Sequence, residues 1–344
     1  MGYKSIKKRL KRNALAGYFI KKRASLKFYT QHPKSFLFKQ KYTNQLKNQL
    51  NDINENTFFI VAVPGCLHIL EICLRYIPAF INIIIISNGL SEWEQSWLSK
   101  NLKFSKTIIL PSLFPHGDVI NILVQNLEKP FGIMDYDCFV FNQDLFNEAV
   151  IINENHQLNA FFSNINKKIN LELPETFFLY MNTPVYKKLK KNFNINCGHT
   201  TYFELPIKVR KKIKEIGITK TQMPEDFKNY FDTLRALMVV GIVEGYKINY
   251  TRKFPTVFKP SNEIFHVGGS SVPNIYKHLW GVRGSYLWRY VLQNHWDKEL
   301  KDNYELMFGK KTPEEILDSF PDSRIKIGNE FFLFVQNLLL EKNY

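Results

Sequence analysis

An α/β fold, with a mostly parallel sheet flanked by helices, is predicted for this chain of 344 residues. Three observations predict it. Continuous apolar runs of strand length alternate with stretches of helical periodicity. Turn signals such as Pro64-Gly65 and Asn88-Gly89 stop the runs. Two acids, Asp135 and Asp137, close one run at its carboxyl end, where sheets of this kind bind their ligands.

The elements follow in order. Residues 1–51 hold 14 Lys or Arg and no Asp or Glu, with Leu10, Leu15, Phe19, Leu26, Phe28 and Phe36 interleaved. They read as a basic, partly helical arm. Phe58 to Val63 is apolar throughout and reads as a strand buried on both faces. Leu67 to Tyr76 reads as a helix. Ile83 to Ile86 is a second buried strand, and Ser91 caps the next helix, with Glu94 completing a capping box. Thr107 to Leu110 is a third strand. Asp118 can cap a helix running to Leu127. Phe131 to Met134 is the fourth strand, and it delivers Asp135. Farther on, Phe177 to Tyr180 reads as a strand and Val185 to Phe193 as a basic helix. A helix is expected to open at Pro224-Glu225-Asp226, with Phe227, Tyr230, Phe231, Leu234, Leu237 and Met238 on one apolar face.

The charge of the chain is segregated. Net charge is +16, yet the 293 residues after the arm carry 33 basic and 31 acidic side chains. Basicity therefore belongs to the arm and not to the body. Such an arm suits an anionic membrane surface. It also suits nucleic-acid phosphates, or it is simply solvated. No recognised RNA- or DNA-binding motif is present, which disfavours nucleic acid as a partner. Cys66, Cys73, Cys138 and Cys197 form no CxxC pair and no zinc spacing. Free thiols in a reducing cytoplasm are expected. The basic start lacks an apolar h-region, so no secretory signal is expected. The greasiest stretch, Ile77 to Ile86, is too short to span a bilayer. A cytoplasmic protein, peripheral at the inner membrane, is the expected location.

Three constellations carry the chemistry. Asp135-Tyr136-Asp137 places two acids between apolar runs, which is costly without a partner. Mg²⁺ or Mn²⁺ is the natural one, because hard cations take carboxylate oxygens and share their shell with substrate phosphates. Two solvated acids at a strand end are the plainer alternative. Glu225-Asp226 stands at an expected helix start, where acids also serve the dipole. Phe265-His266-Val267-Gly268-Gly269-Ser270-Ser271 offers an imidazole beside glycines that let backbone approach a ligand. Its amides and hydroxyls could meet phosphate oxygens. A hydrogen-bonded core histidine followed by an ordinary loop is the alternative there.

The order of these motifs resembles the family-two glycosyltransferases, which have the GT-A fold. The order is strand, Asp-x-Asp, a helix headed by Glu-Asp, then Gly245 to Tyr250, then His-x-Gly-Gly. The resemblance covers roughly residues 57–285. It implies a nucleotide-sugar half over 55–142 and an acceptor half over 143–285, together a domain over 55–285. The basic arm then occupies 1–54, and an α-rich C-terminal extension occupies 286–344. By resemblance, Asp135, Asp137 and His266 are metal ligands. Pro64, Asn88, Asp135, Gly268 and Gly269 contact the nucleotide-diphosphate sugar, and Asp226 is the catalytic base. Asn88 stands where the family often has an acid, and its amide can hydrogen-bond a pyrimidine. Val239 to Glu244 reads as an insertion between helix and strand.

The implied activity is metal-dependent transfer of a sugar from a nucleotide-diphosphate donor to a hydroxyl acceptor. Mn²⁺ or Mg²⁺ would be the cofactor, and a glycan or lipid-linked compound the acceptor, in surface polysaccharide or glycolipid synthesis. Inversion of configuration is expected with Asp226 as base. Two alternatives stand: a retaining GT-A enzyme without a dedicated base, and a non-enzymatic basic nucleic-acid-binding protein. Trp280 and Arg283 follow the histidine motif and could line the diphosphate or acceptor side, or belong to an amphipathic helix.

Overall fold

The computed structural model describes residues 14–50, 53–102, 106–110, 112–166, 169–223, 230–254 and 261–268, with 315, 318, 322, 326, 333 and 337. Three helices come first: α1 (Ala14–Gln31), α2 (Pro33–Leu37) and α3 (Lys39–Gln49). Strands and helices then alternate as the apolar runs predict: β1 (Thr57–Ala62), α4 (Leu67–Leu74), β2 (Asn82–Asn88), α5 (Glu92–Asn101), β3 (Lys106–Leu110), α6 (His116–Asn126) and β4 (Phe131–Met134). After these come β5 (Cys138–Val140), α7 (Asp144–Val150), β6 (His156–Asn166), β7 (Leu171–Pro174), β8 (Phe178–Met181) and α8 (Thr183–Phe193). The described series closes with β9 (Thr200–Thr201), α9 (Ile207–Lys214), β10 (Tyr230–Phe231), α10 (Arg235–Val243), β11 (Lys247–Phe254) and β12 (Ile264–His266). The fold is α/β and GT-A-like in its strand–helix alternation up to an Asp-x-Asp turn.

The chain forms two compact units. The first comprises Met1–Phe59, Ser112–Ile133 and Asn147–Phe254. Its strands run in the order β11-β6-β8-β4-β1. β6 pairs parallel with β11 and antiparallel with β8 and β7. Aromatic packing fills this core. Phe58 stacks on Phe178 at 5.5 Å between ring centroids, and Phe59 meets Phe131 edge-on at 5.4 Å. The arm is not loose here. Tyr42 of α3 meets Phe114 edge-on at 5.8 Å, Ser35 donates to the Leu113 carbonyl at 2.6 Å, and Lys21 of α1 pairs with Glu204 at 2.6 Å.

The second unit comprises Ile60–Pro111, Met134–Phe146 and Pro255–Tyr344. Its sheet order is β1-β2-β3, with β2 and β3 parallel in the register Ile86↔Ile108 and Asn88↔Leu110. The four Ile residues of β2 are buried, which is why this run contains no alternating polar face. The Ser91 capping box forms as expected, with Glu94 Oε2 accepting from the Ser91 amide at 2.8 Å. β5 and β12 form a two-stranded antiparallel ribbon. Residues 315, 318, 322, 326, 333 and 337 are helical.

One sequence expectation fails around residue 230. The apolar face read as one helix from Phe227 is broken: Tyr230 and Phe231 form β10, paired with Thr201 and Thr200. Leu234 then takes a left-handed conformation (φ +66°) and donates its amide to the Cys197 carbonyl at 2.7 Å, so α10 starts only at Arg235. Val239 to Glu244, read as an insertion between helix and strand, fall in α10 and at its C-terminal end. Residues 237–240 of that helix are fully buried.

Candidate functional site

The three side chains of the site, Asp135, Asp137 and His266, lie in the second unit, and β4 leads the chain to the first of them. All four of its residues are buried, so the strand has no freedom to turn a polar side chain until it ends at Asp135. The Cys138 amide then bonds back to the Asp135 carbonyl at 3.0 Å. This tight turn keeps Asp135 and Asp137 close before the chain enters β5.

The β5–β12 ribbon brings in the third group. Its register sets His266 opposite Cys138, directly beyond Asp137. His266 Nε2 lies 3.2 Å from Asp137 Oδ1 and 3.5 Å from Asp135 Oδ2. One ligand atom from each residue falls within 4.8 Å of the others. Asp137 and His266 are buried, while Asp135 is partly open. Burial pulls the His266 pKa down. The Asp137 carboxylate, with hydrogen bonds to both acids, outweighs this and holds the pKa up at about 9. An imidazolium between two carboxylates satisfies the cluster electrostatically, and a divalent cation would do the same with the same three donors.

The glycine after the histidine has a specific task. Gly268 takes φ +71°, which a side chain would resist. In that conformation its amide donates to Asp137 Oδ2 at 3.1 Å, and Val267 donates to the Asp137 carbonyl at 3.0 Å. Asp137 is therefore oriented by the backbone of the strand that supplies His266. The sequence offered the Gly268 amide as a phosphate contact; here it serves the carboxylate.

The other sequence-predicted residues distribute as follows. Pro64 follows β1, and Asn88 ends β2, where it is buried. Both belong to the second unit. Gly65, next to Pro64, takes φ +81° and donates its amide to Glu94 Oε1 at 2.8 Å. Cys66 follows, and burial raises its thiol pKa, with the Glu94 and Asp137 charges adding to the rise. The charge of the Asp-x-Asp turn is thus felt at the end of the β1 loop. Glu94 was legible as a capping residue, but its grip on Gly65 was not, because the two are 29 positions apart. Asp226, Glu225, Gly269, Ser270, Ser271, Trp280 and Arg283 lie outside the described residues. Among the described residues, no helix is long and apolar enough to cross a membrane.

Comparison with known proteins gives the class. Residues 38–186 match the model of the StrH glycosyltransferase N-terminal domain. This part of the chain, which includes Pro64, Asn88, Asp135 and Asp137, is similar to that glycosyltransferase domain. Among particular proteins, a stretch of 94 residues is 33% identical to dTDP-dihydrostreptose--streptidine-6-phosphate dihydrostreptosyltransferase of Streptomyces griseus. That alignment spans 27% of this chain and 24% of the relative. Solved structures similar to this chain include S. aureus TarS 1-349 in complex with UDP, at 10% identity and TM-score 0.32 over 84% of this chain and 92% of that one. GlyE of Streptococcus pneumoniae TIGR4 is also similar, at 10% identity and TM-score 0.32 over 83% and 62%.

Proposed function

We propose that this chain transfers a sugar from a nucleotide-diphosphate donor to a hydroxyl acceptor, with a divalent cation held by Asp135, Asp137 and His266. The observation that carries the reading is the convergence of those three side chains: Asp135 and Asp137 follow a strand inside the segment similar to the StrH glycosyltransferase N-terminal domain, and His266 joins them from outside that segment. The donor set fits such an ion. Two carboxylates suit Mg²⁺ or Mn²⁺, and the imidazole nitrogen favours the transition ion. The name of the Streptomyces relative, a dTDP-sugar-dependent transferase, supports a nucleotide-diphosphate sugar as donor.

When bound, the cation supplies positive charge against the leaving diphosphate. The rest falls to the protein's own side chains. Asn88 and Pro64, at the ends of β2 and β1, would face the nucleotide. Gly268, by fixing Asp137, would keep the ligand geometry constant through the reaction. Asp226 would accept the proton of the acceptor hydroxyl. As that oxygen bonds to the anomeric carbon, the bond from this carbon to the diphosphate oxygen breaks, and the configuration inverts. The acceptor would be a glycan or lipid-linked compound of surface polysaccharide or glycolipid synthesis.

A thermal-shift screen of nucleotide sugars with and without Mn²⁺ tests the reading. One donor class is expected to raise Tm only when the cation is present. Asp137→Ala should abolish that shift. Asp226→Asn should retain it while turnover falls by roughly two to four orders of magnitude. A shift that survives Asp137→Ala or a chelator would remove the cation from this site.

A further inference from the structure

We infer that helix α1 docks this protein on an anionic lipid bilayer through its outward face. Helix α1 is already partnered on one side. Ala14, Gly17, Tyr18, Lys21, Ser25 and Phe28 are buried or half-buried, and their spacing of three and four residues defines a single stripe. That stripe is fastened by Lys21 to Glu204 at 2.6 Å, with Lys22 reaching the same carboxylate at 3.4 Å. The helix is therefore fixed in orientation, and its remaining face is fixed with it.

The outward face is apolar where a soluble surface helix is normally polar. Leu15, Phe19 and Leu26 are each more than half exposed. At intervals of four and seven they line up along the axis. Arg23 and Lys27 flank them and are also exposed. Beyond the helix end, Phe36 meets Tyr29 edge-on at 5.5 Å, and Phe36 and Leu37 are again mostly exposed. An apolar stripe bordered by cations fits the boundary between headgroups and acyl chains, where each part finds its solvent. Charge complementarity selects an anionic surface: residues 1–51 carry 14 basic and no acidic side chains. A nucleic acid would use those cations and leave Leu15, Phe19 and Leu26 without a purpose.

The test is co-sedimentation of the full chain with vesicles of phosphatidylcholine alone or mixed with phosphatidylglycerol. Binding is expected only to the mixed vesicles. The variant Leu15→Ser/Phe19→Ser/Leu26→Ser keeps every cation and is expected to lower partitioning roughly tenfold or more. Because the three side chains point away from the fold, its Tm should match that of the parent. Equal partitioning of parent and variant would overturn the inference. So would binding to a random oligonucleotide that outcompetes the vesicles, or a dimer in solution that the same variant dissociates.

Discussion

At the scale of single residues, Glu94 links two loops near the candidate site. One oxygen accepts from the Gly65 amide at 2.8 Å, and the other accepts from the Ser91 amide at 2.8 Å and the Ser91 hydroxyl at 2.9 Å. The side chain is almost wholly buried, so water cannot replace these bonds at no cost. Glu94→Ala would strand the Gly65 and Ser91 amides and remove the carboxylate half of the capping box, leaving the Ser91 cap itself, a loss of about 2–4 kcal/mol. Glu94→Gln keeps one acceptor and should lose roughly half as much. Urea denaturation of the two variants checks this. A change below about 0.5 kcal/mol in Glu94→Ala would mean that the carboxylate holds nothing. Asp137 is fixed in a comparable way, by the Gly268 amide from the far end of the sequence. The Ser91–Glu94 capping box was visible in the sequence, but the bonds from Gly65 to Glu94 and from Gly268 to Asp137 were not. A motif names the residue types, while their long-range hydrogen bonds depend on the fold.

At the scale of elements, β4 shows how packing delivers the site. Gly132 sits at its centre because the Phe58 ring occupies the space of a side chain: a Cβ there would fall 2.1 Å from that ring. Phe58 cannot retreat freely, being stacked on Phe178 and fully buried. Gly132→Ala should therefore cost about 1–3 kcal/mol through overpacking and disturb the turn that holds Asp135. Equilibrium unfolding measures the first effect, and the Mn²⁺-dependent donor shift measures the second. Full stability in the variant would show that the ring moves easily. The strands of this region were legible because unbroken apolar runs leave few alternatives to a doubly covered sheet. The segment before α10 was not. Its apolar spacing fits a helix locally, but Tyr230 and Phe231 gain a ladder with Thr200–Thr201, about 30 residues earlier in the chain. That partner overrides local periodicity.

At the scale of the whole molecule, both the convergence at the site and the integrity of the fold depend on burial, and the four cysteines report on it. Cys66, Cys73, Cys138 and Cys197 are free and fully buried. Cys73 donates to the Cys138 carbonyl at 3.2 Å. Burial raises all four thiol pKa values. For Cys197 it does so to about 12, against the opposing pull of Lys190. Only the thiolate attacks a thiol reagent, so access and ionisation both forbid reaction in the native state. Labelling must then wait for opening of the surrounding structure. Cys197 belongs to the first unit and the other three to the second, so mass spectrometry of labelled peptides reads the two separately. In native buffer none of the four should be modified. In urea, modification of each should track the loss of circular dichroism. Rapid native labelling of Cys66 or Cys138 would show that the loop after β1 or the ribbon behind Asp137 opens readily. A rigid set of metal ligands built on those segments would then be untenable.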